Sequence, residues 1–368
     1  MASRSSPPFR ADHVGSLLRP KMINEAFKLF KAGKINREEM QSIEDKAIKE
    51  AIKLQEDVGM QAITDGEFRR ASYWSTFVER VEGLEIDDAH FKFHNADGDE
   101  HKFTAPVVEG KVSRSISIAG DEFEFVKINT KKTPKTTIVS PPTMHMFRLD
   151  KSIKPGVYDS RKEYFSDLSQ VYREEIKALA DAGCIYIQLD DVPIPMLSDP
   201  QIQARVRADG LEPAKLMDDY INLFNDCLSD RPDGVTIAIH MCRGNYKGRF
   251  LSEGGYEIFA EKFFNELDVD AYFLEYESPR AGDFEPLKHV PKDKIVVLGL
   301  VSSKTPQLES QDGLQTRIDE ASQFIDLGRL ALSPQCGFAS TVAGNPITVD
   351  DQKRKLELVV DVAEKIWS

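Results

Sequence analysis

The strongest constraint on this chain is a unit that recurs along it. Eight short runs rich in β-forming residues each lead, after a loop, into a segment with helical periodicity. They cover residues 11–16, 62–68, 136–143, 185–191, 235–242, 271–278, 295–303 and 330–337. Several are apolar on both faces, as strands of a parallel sheet covered by helices must be. Eight such units predict an α/β fold, the (β/α)8 TIM barrel. In the clearest unit, residues 161–182 place Phe165, Leu168, Val171, Tyr172, Ile176 and Leu179 on one helical face with charges opposite. Gly183 follows where a helix-ending glycine belongs, and the next run starts two residues later.

A chain of 368 residues with 41% hydrophobic content has material for one large barrel or two ordinary domains. The eight units favour one catalytic domain spanning residues 1–368. Residues 84–129 break the rhythm with alternating stretches at 111–118 and 122–128 and a Gly120-Asp121 turn signal. They are expected to form a β-hairpin insertion after the second strand, over the barrel mouth.

The formal net charge of −13 argues against a nucleic-acid surface, because binding a phosphate backbone needs clustered Lys and Arg. No stretch approaches the roughly 20 apolar residues that cross a bilayer, and the polar start lacks a secretory core. The expectation is a cytoplasmic protein with small-molecule partners, no nucleic acid and no membrane, its state open between monomer and homo-oligomer. The four cysteines, Cys184, Cys227, Cys242 and Cys336, are too sparse for a disulfide scaffold. Cys184 and Cys227 sit among core positions, whereas Cys242 and Cys336 fall at the ends of predicted strands.

In such a barrel the chemistry gathers at the carboxyl ends of the strands. His240 and Cys242 lie two apart on one strand, so both side chains point to the same side. Glu275 ends the next strand, and Cys336 ends the eighth. One imidazole, two thiolates and a carboxylate suit tetrahedral Zn²⁺. Glu277 faces the same way as Glu275, and spacing does not choose between them.

His240-Met241-Cys242, the strand-six Glu and Pro334-Gln335-Cys336-Gly337 resemble the zinc motifs of the cobalamin-independent methionine synthase family. Val14-Gly15-Ser16, Asp65-Gly66-Glu67 and Gln188-Leu189-Asp190 resemble other motifs of that family, in the same order. The resemblance spans nearly the whole chain and covers the catalytic barrel only. It implies zinc held by His240, Cys242, Glu275 and Cys336, with Glu275 preferred because it begins a Glu-x-x-Ser-like stretch leading to Arg280. It also implies homocysteine as the thiol, its ammonium held by Glu67 and Asp190 and Ser16 in its pocket.

One departure is plain. The family places a histidine acid near the end of strand seven, where this chain reads Leu300-Val301-Ser302-Ser303-Lys304. Lys304 and Ser302 are the residues at hand for that catalytic part, and the methyl donor stays open between 5-methyltetrahydrofolate and a small sulfonium or methylthio compound. His145, at the end of strand three, is weighed between donor contact and an ordinary surface or capping role. The expected activity is zinc-dependent S-methylation of homocysteine. Its rivals are an alkyltransferase or lyase acting on another thiol, such as an epoxide:coenzyme M transferase, a metal-free decarboxylase of the same architecture, and a non-catalytic homocysteine binder.

Overall fold

The structure, a computed structural model, describes residues 4–95 and 98–368. Its strands in chain order are β1 (Ala62–Ile63), β2 (Val81–His94), β3 (Glu100–Arg114), β4 (Thr133–Pro134), β5 (Thr136–Val139), β6 (Tyr186–Asp191), β7 (Thr236–Met241), β8 (Ala271–Glu275), β9 (Ile295–Val301) and β10 (Leu330–Pro334). The last six form one parallel sheet in sequential order. Beyond β5, the neighbouring β4 pairs in parallel with β1, and Lys135 N donates to Ile63 O at 2.8 Å. Residues 11–17 close the ring. On one side Ala11 bridges Leu332 and Asp12 N donates to Leu332 O at 3.0 Å; on the other Leu17 N donates to Gly66 O at 3.0 Å.

The barrel is therefore built as the eight runs predict, although the first two contribute little regular strand. The second leaves the sheet after Ile63, because Gly66 and Glu67 turn the chain through left-handed conformations at φ 70° and 61°. The helix Arg161–Asp181 forms as expected: the Ser160 side chain accepts from Glu163 N, the apolar face is buried, and Gly183 leaves the helix at φ 96°. Burying each of its large apolar side chains contributes roughly 1.5–3 kcal/mol.

The insertion differs from expectation. Its hairpin pairs β2 with β3, and residues 122–128 lie in a helix, Gly120–Asn129. Glu122, Phe123 and Val126 are buried there at helical rather than alternating spacing. Asp121 and Glu122 occupy the first turn, where acidic side chains suit the helix dipole, and the Ser117 hydroxyl accepts from Gly120 N at 3.0 Å. Gly120-Asp121 thus opens a helix instead of turning a hairpin.

Inside the barrel, Ala62, Tyr186, Ala238, Phe273, Val297 and Ala331 form a buried cluster drawn from alternate strand positions. Beside it lies a wholly buried ion pair, Lys135 Nζ to Asp12 Oδ1 at 3.0 Å. The Asp12 carboxylate also accepts from Tyr186 OH at 2.9 Å, His13 N at 2.8 Å and Phe9 N at 3.3 Å. The Lys135 ammonium lies over the Phe273 ring, 4.1 Å from its centroid. Asp12→Ala would leave that ammonium buried and unpaired, and should lower stability by about 3–5 kcal/mol. A fall in the urea midpoint measures this, and the double change Asp12→Leu with Lys135→Met should recover most of it.

Candidate active site

The strand register carries the chemistry to one end of the barrel. Asp190 at the end of β6 pairs with His240 on β7, and Glu275 at the end of β8 pairs with Gly299 on β9. On β10 the register slips between Ser333 and Pro334, which face Gly299 and Val301. Such an irregularity re-aims the residues that follow it. Gly299 makes room for it, since a Cβ there would lie 2.7 Å from both Gln335 Cα and Leu274 O. Cys336 emerges just beyond.

The outcome is a compact group. The ligand atoms of His240, Cys242 and Cys336 all lie within 4.8 Å of one another, and all three residues are buried. The two sulfurs are 3.8 Å apart. Both ring nitrogens of His240 are buried without a hydrogen-bond partner among the described residues. A buried imidazole with nothing to bond is costly unless it serves a ligand, so this donor set fits a soft divalent metal such as zinc.

The electrostatics favour one thiolate. The Cys242 sulfur, and after it His240 and Lys304, hold the Cys336 thiol well below its ordinary range against the effect of burial. Cys242 is pushed well above that range by the neighbouring Cys336 sulfur and by burial. Burial alone would lower the His240 pKa, but Cys336, Asp190 and Glu275 outweigh it and raise it.

Glu275 stands outside the three-residue group. Its Oε1 is paired with Arg280 and lies 3.4 Å from Lys304 Nζ, while its Oε2 accepts from Arg243 N at 2.8 Å. Against burial, Lys304, Arg243 and Arg280 hold its pKa down at about 2. Glu277 shares the same two cations, with Oε1 3.3 Å from Arg280 and 3.9 Å from Lys304. Lys304 is thus committed to two carboxylates. The Ser302 hydroxyl accepts from Lys304 N at 3.2 Å, and Ser302 N donates to Glu309 at 2.8 Å. Neither Ser302 nor Lys304 lines the cavity above the cysteines.

That cavity, about 370 Å³, is lined by Ser16, Glu67, Asp190, His240, Cys242 and Cys336 among others. Glu67 is aimed by its turn. Its N–H donates to Asp65 at 2.8 Å, and its Oε1 accepts from Thr137 Oγ1 at 2.9 Å with Arg70 Nη1 at 3.6 Å. Arg70 is bound more closely by Glu122, at 2.5 Å, and Arg69 pairs with Glu44 and Asp45, so Glu67 is not merely a partner for these arginines. Glu67 Oε2 is buried without a hydrogen-bond partner among the described residues. Asp190 accepts from Gln188 at 2.6 Å, and burial together with Glu67 raises its pKa to about 7. Asp191, which also lines the cavity, accepts from Ile194 N at 2.8 Å and from Ser140 Oγ at 2.6 Å.

Ser16 packs against the loop that carries Cys336: a Cβ on Gly337 would fall 1.9 Å from Ser16 Oγ, and Phe338 N donates to Ser16 O at 2.9 Å. Arg19 then fastens that loop to the one bearing Glu67. Its guanidinium donates to Ala339 O and Thr341 O at 2.9 and 3.0 Å and to Glu67 O and Arg70 O at 2.8 and 2.7 Å.

His145 is neither a surface residue nor a cavity residue. It is buried, bonded to Tyr220 at 2.8 Å and to Asp150 at 2.9 Å. Sequence reasoning missed the aromatic side of the cavity, formed by Tyr73, Trp74, Phe147 and Tyr246 with Phe93 and Phe103 of the hairpin. Its one signal was the aromatic content of the insertion, which alternation alone does not aim at a site.

Fold and site together define a (β/α)8 barrel with a His-Cys-Cys group at the carboxyl ends of its strands. The chain belongs to the family described as the cobalamin-independent synthase catalytic domain, which matches residues 9–365. It is 40% identical over 98% of its length to a Bacillus subtilis protein named YxjH and called uncharacterized, covering 95% of that protein. It is 25% identical to the methionine synthase of Sulfolobus acidocaldarius, over 88% of this chain and 84% of the other. Among solved structures, the putative vitamin-B12-independent methionine synthase of Listeria monocytogenes superposes with a TM-score of 0.77 at 33% identity, covering 99% of this chain and all of that one. A B12-independent methionine synthase from Shewanella sp. W3-18-1, in complex with selenomethionine, shares the fold with a TM-score of 0.75 at 22% identity, covering 97% of each chain.

The free cysteines separate the two roles. Cys242→Ser or Cys336→Ser should cut the zinc retained after gel filtration without chelator by tenfold or more, whereas Cys184→Ser should leave it unchanged. Elemental analysis by plasma mass spectrometry measures this.

Proposed function

We propose that the protein methylates the sulfur of homocysteine, forming methionine, and that zinc serves the reaction. His240, Cys242 and Cys336 would hold the metal, with Glu275 as the fourth candidate ligand, a position in which its carboxylate would exchange contacts with Arg280 and Lys304. Zinc bound there would supply a Lewis acid that keeps a substrate thiol deprotonated at neutral pH.

The observation that carries the reading is the unpartnered Oε2 of Glu67, buried in the same cavity as the cysteines and supported by Asp190. A buried carboxylate oxygen with no donor is satisfied by a substrate ammonium. An amino-acid thiol therefore binds with its nitrogen at Glu67 and Asp190 and its sulfur toward Cys242 and Cys336. Ser16 bounds that pocket. A thiol bearing a sulfonate, such as coenzyme M, would bring a second anion against these carboxylates and is disfavoured by charge. No helix among the described residues is long and apolar enough to cross a membrane, and both reactants are small molecules.

The proposal is tested with zinc-loaded protein, homocysteine and a panel of methyl donors; silence with every donor defeats it. Glu67→Gln should raise the KM for homocysteine by roughly 10–100-fold, the worth of one charge-assisted hydrogen bond. A KM unchanged in that variant would mean that the ammonium is bound elsewhere.

A further inference from the structure

The cavity has two unlike sides. One set of lining residues is polar, Glu67, Asp190 and the cysteine pair; the other is aromatic, with four of its rings in mutual contact. Phe93 lies 4.9 Å from Phe103 and 5.5 Å from Tyr246, and Phe103 lies 5.1 Å from Phe147, measured between ring centroids. Tyr73 and Trp74 line the same cavity, and the Tyr73 hydroxyl is buried without a hydrogen-bond partner among the described residues. Two of these rings, Phe93 and Phe103, come from the hairpin strands β2 and β3.

The charges around this surface are mostly acidic. Of the charged lining residues, Glu67, Asp190 and Asp191 are acidic and buried, whereas Glu79, which has no salt bridge among the described residues, and Lys102 are both exposed to solvent. Ring faces attract cations through their quadrupole, and unpaired carboxylates reinforce the preference. A donor carrying several carboxylates would need clustered arginines and lysines, which the lining does not provide.

The leaving group points the same way. A methyl group taken from a tertiary amine leaves a nitrogen anion that must be protonated, yet Lys304 is held by Glu275 and Glu277 and does not reach the cavity, and Asp190, which does, is taken up by Gln188 and, on the reading above, by the substrate ammonium. A sulfonium needs no such acid. The homocysteine sulfur gives its electron pair to the methyl carbon, the carbon–sulfonium bond breaks, and that pair stays on the departing sulfur as a neutral thioether. The proton of the homocysteine thiol has by then gone to solvent.

We propose that the methyl donor is a small sulfonium compound, held by cation–π contact with the aromatic side of the cavity and presenting its methyl group to the polar side. This rests on the methyl-transfer reading above. Its test has a binding arm and a turnover arm. In the first, trimethylsulfonium and its neutral isostere tert-butanol are titrated against the zinc-loaded protein while Trp74 fluorescence is followed, with Trp74→Phe identifying the signal. The cation should bind about tenfold or more tightly than the isostere, and Phe93→Leu and Phe103→Leu should each weaken it several-fold while zinc content and circular dichroism stay unchanged. Equal affinity for cation and isostere, or indifference to both substitutions, overturns the proposal.

In the turnover arm, homocysteine is offered S-methylmethionine, dimethylsulfoniopropionate, and mono- and triglutamyl 5-methyltetrahydrofolate, with isotope label in the transferred methyl. Labelled methionine from a sulfonium supports the proposal. Labelled methionine from the folates alone overturns it and leaves homocysteine methylation standing. No methionine from any donor overturns the methyl-transfer reading, and the binding arm then reports separately whether the aromatic surface selects cations.

Discussion

Asp12 and Lys135 are the interaction on which the barrel's closure depends. Both are fully buried, and each forms part of a seam between the least regular segments of the ring. Asp12 belongs to the segment that bridges β10, Lys135 to the link between β4 and β5, and Tyr186, which donates to Asp12, to β6. Where residues 11–17 have no ladder to hold them, three neutral donors and the Lys135 ammonium on one carboxylate fix their position. Burying an ion pair does little for stability in itself, but it penalises every arrangement that separates the partners. Ser16 follows in the same segment and Thr137, which holds Glu67, lies two residues after Lys135, so the part of the cavity lined by Ser16 and Glu67 inherits its position from this pair.

The opposite wall follows a different principle. Around Glu275, two carboxylates and two cations, Arg280 and Lys304, pair with one another in a nearly dry setting, although Glu277 Oε2 and Arg280 Nε keep no hydrogen-bond partner among the described residues. Burial and the neighbouring Glu275 push the Glu277 carboxyl up to about 7, so negative charge on this wall gathers on the residue nearest the backbone N–H of Arg243. Cys242 and Cys336 follow the ends of β7 and β10, and Lys304 helps to lower the Cys336 pKa. Lys304 therefore influences the thiols through space, without lining the cavity.

Much of this was legible in the amino-acid sequence, and the reasons are local. A period of two puts His240 and Cys242 on one side of β7, and the barrel rule assigns the ends of β6, β8 and β10 to the same mouth. The helix Arg161–Asp181 announced itself through its apolar stripe, cap and following glycine. What stayed hidden depended on contacts between distant segments. Residues 122–128 alternate weakly, but a helix buries Phe123 and Val126 better. The pairing of Lys304 with Glu275, 29 positions away, and the burial of His145 between Tyr220 and Asp150 have no local signature. The aromatic surface is likewise assembled from several loops and the hairpin.

The Arg19 clamp has a consequence for which molecules the site can take. One guanidinium joins four carbonyls from the two loops that carry Glu67 and Cys336, so the two loops share a single anchor. If the proposed reading holds and a thiol is anchored by its nitrogen at Glu67, this shared anchor sets the span from that carboxylate to the cysteines. On the proposed reading, a thiol held by its nitrogen is thereby measured along its carbon chain, and a shorter amino-acid thiol such as cysteine would have to span the same two anchors with one carbon fewer.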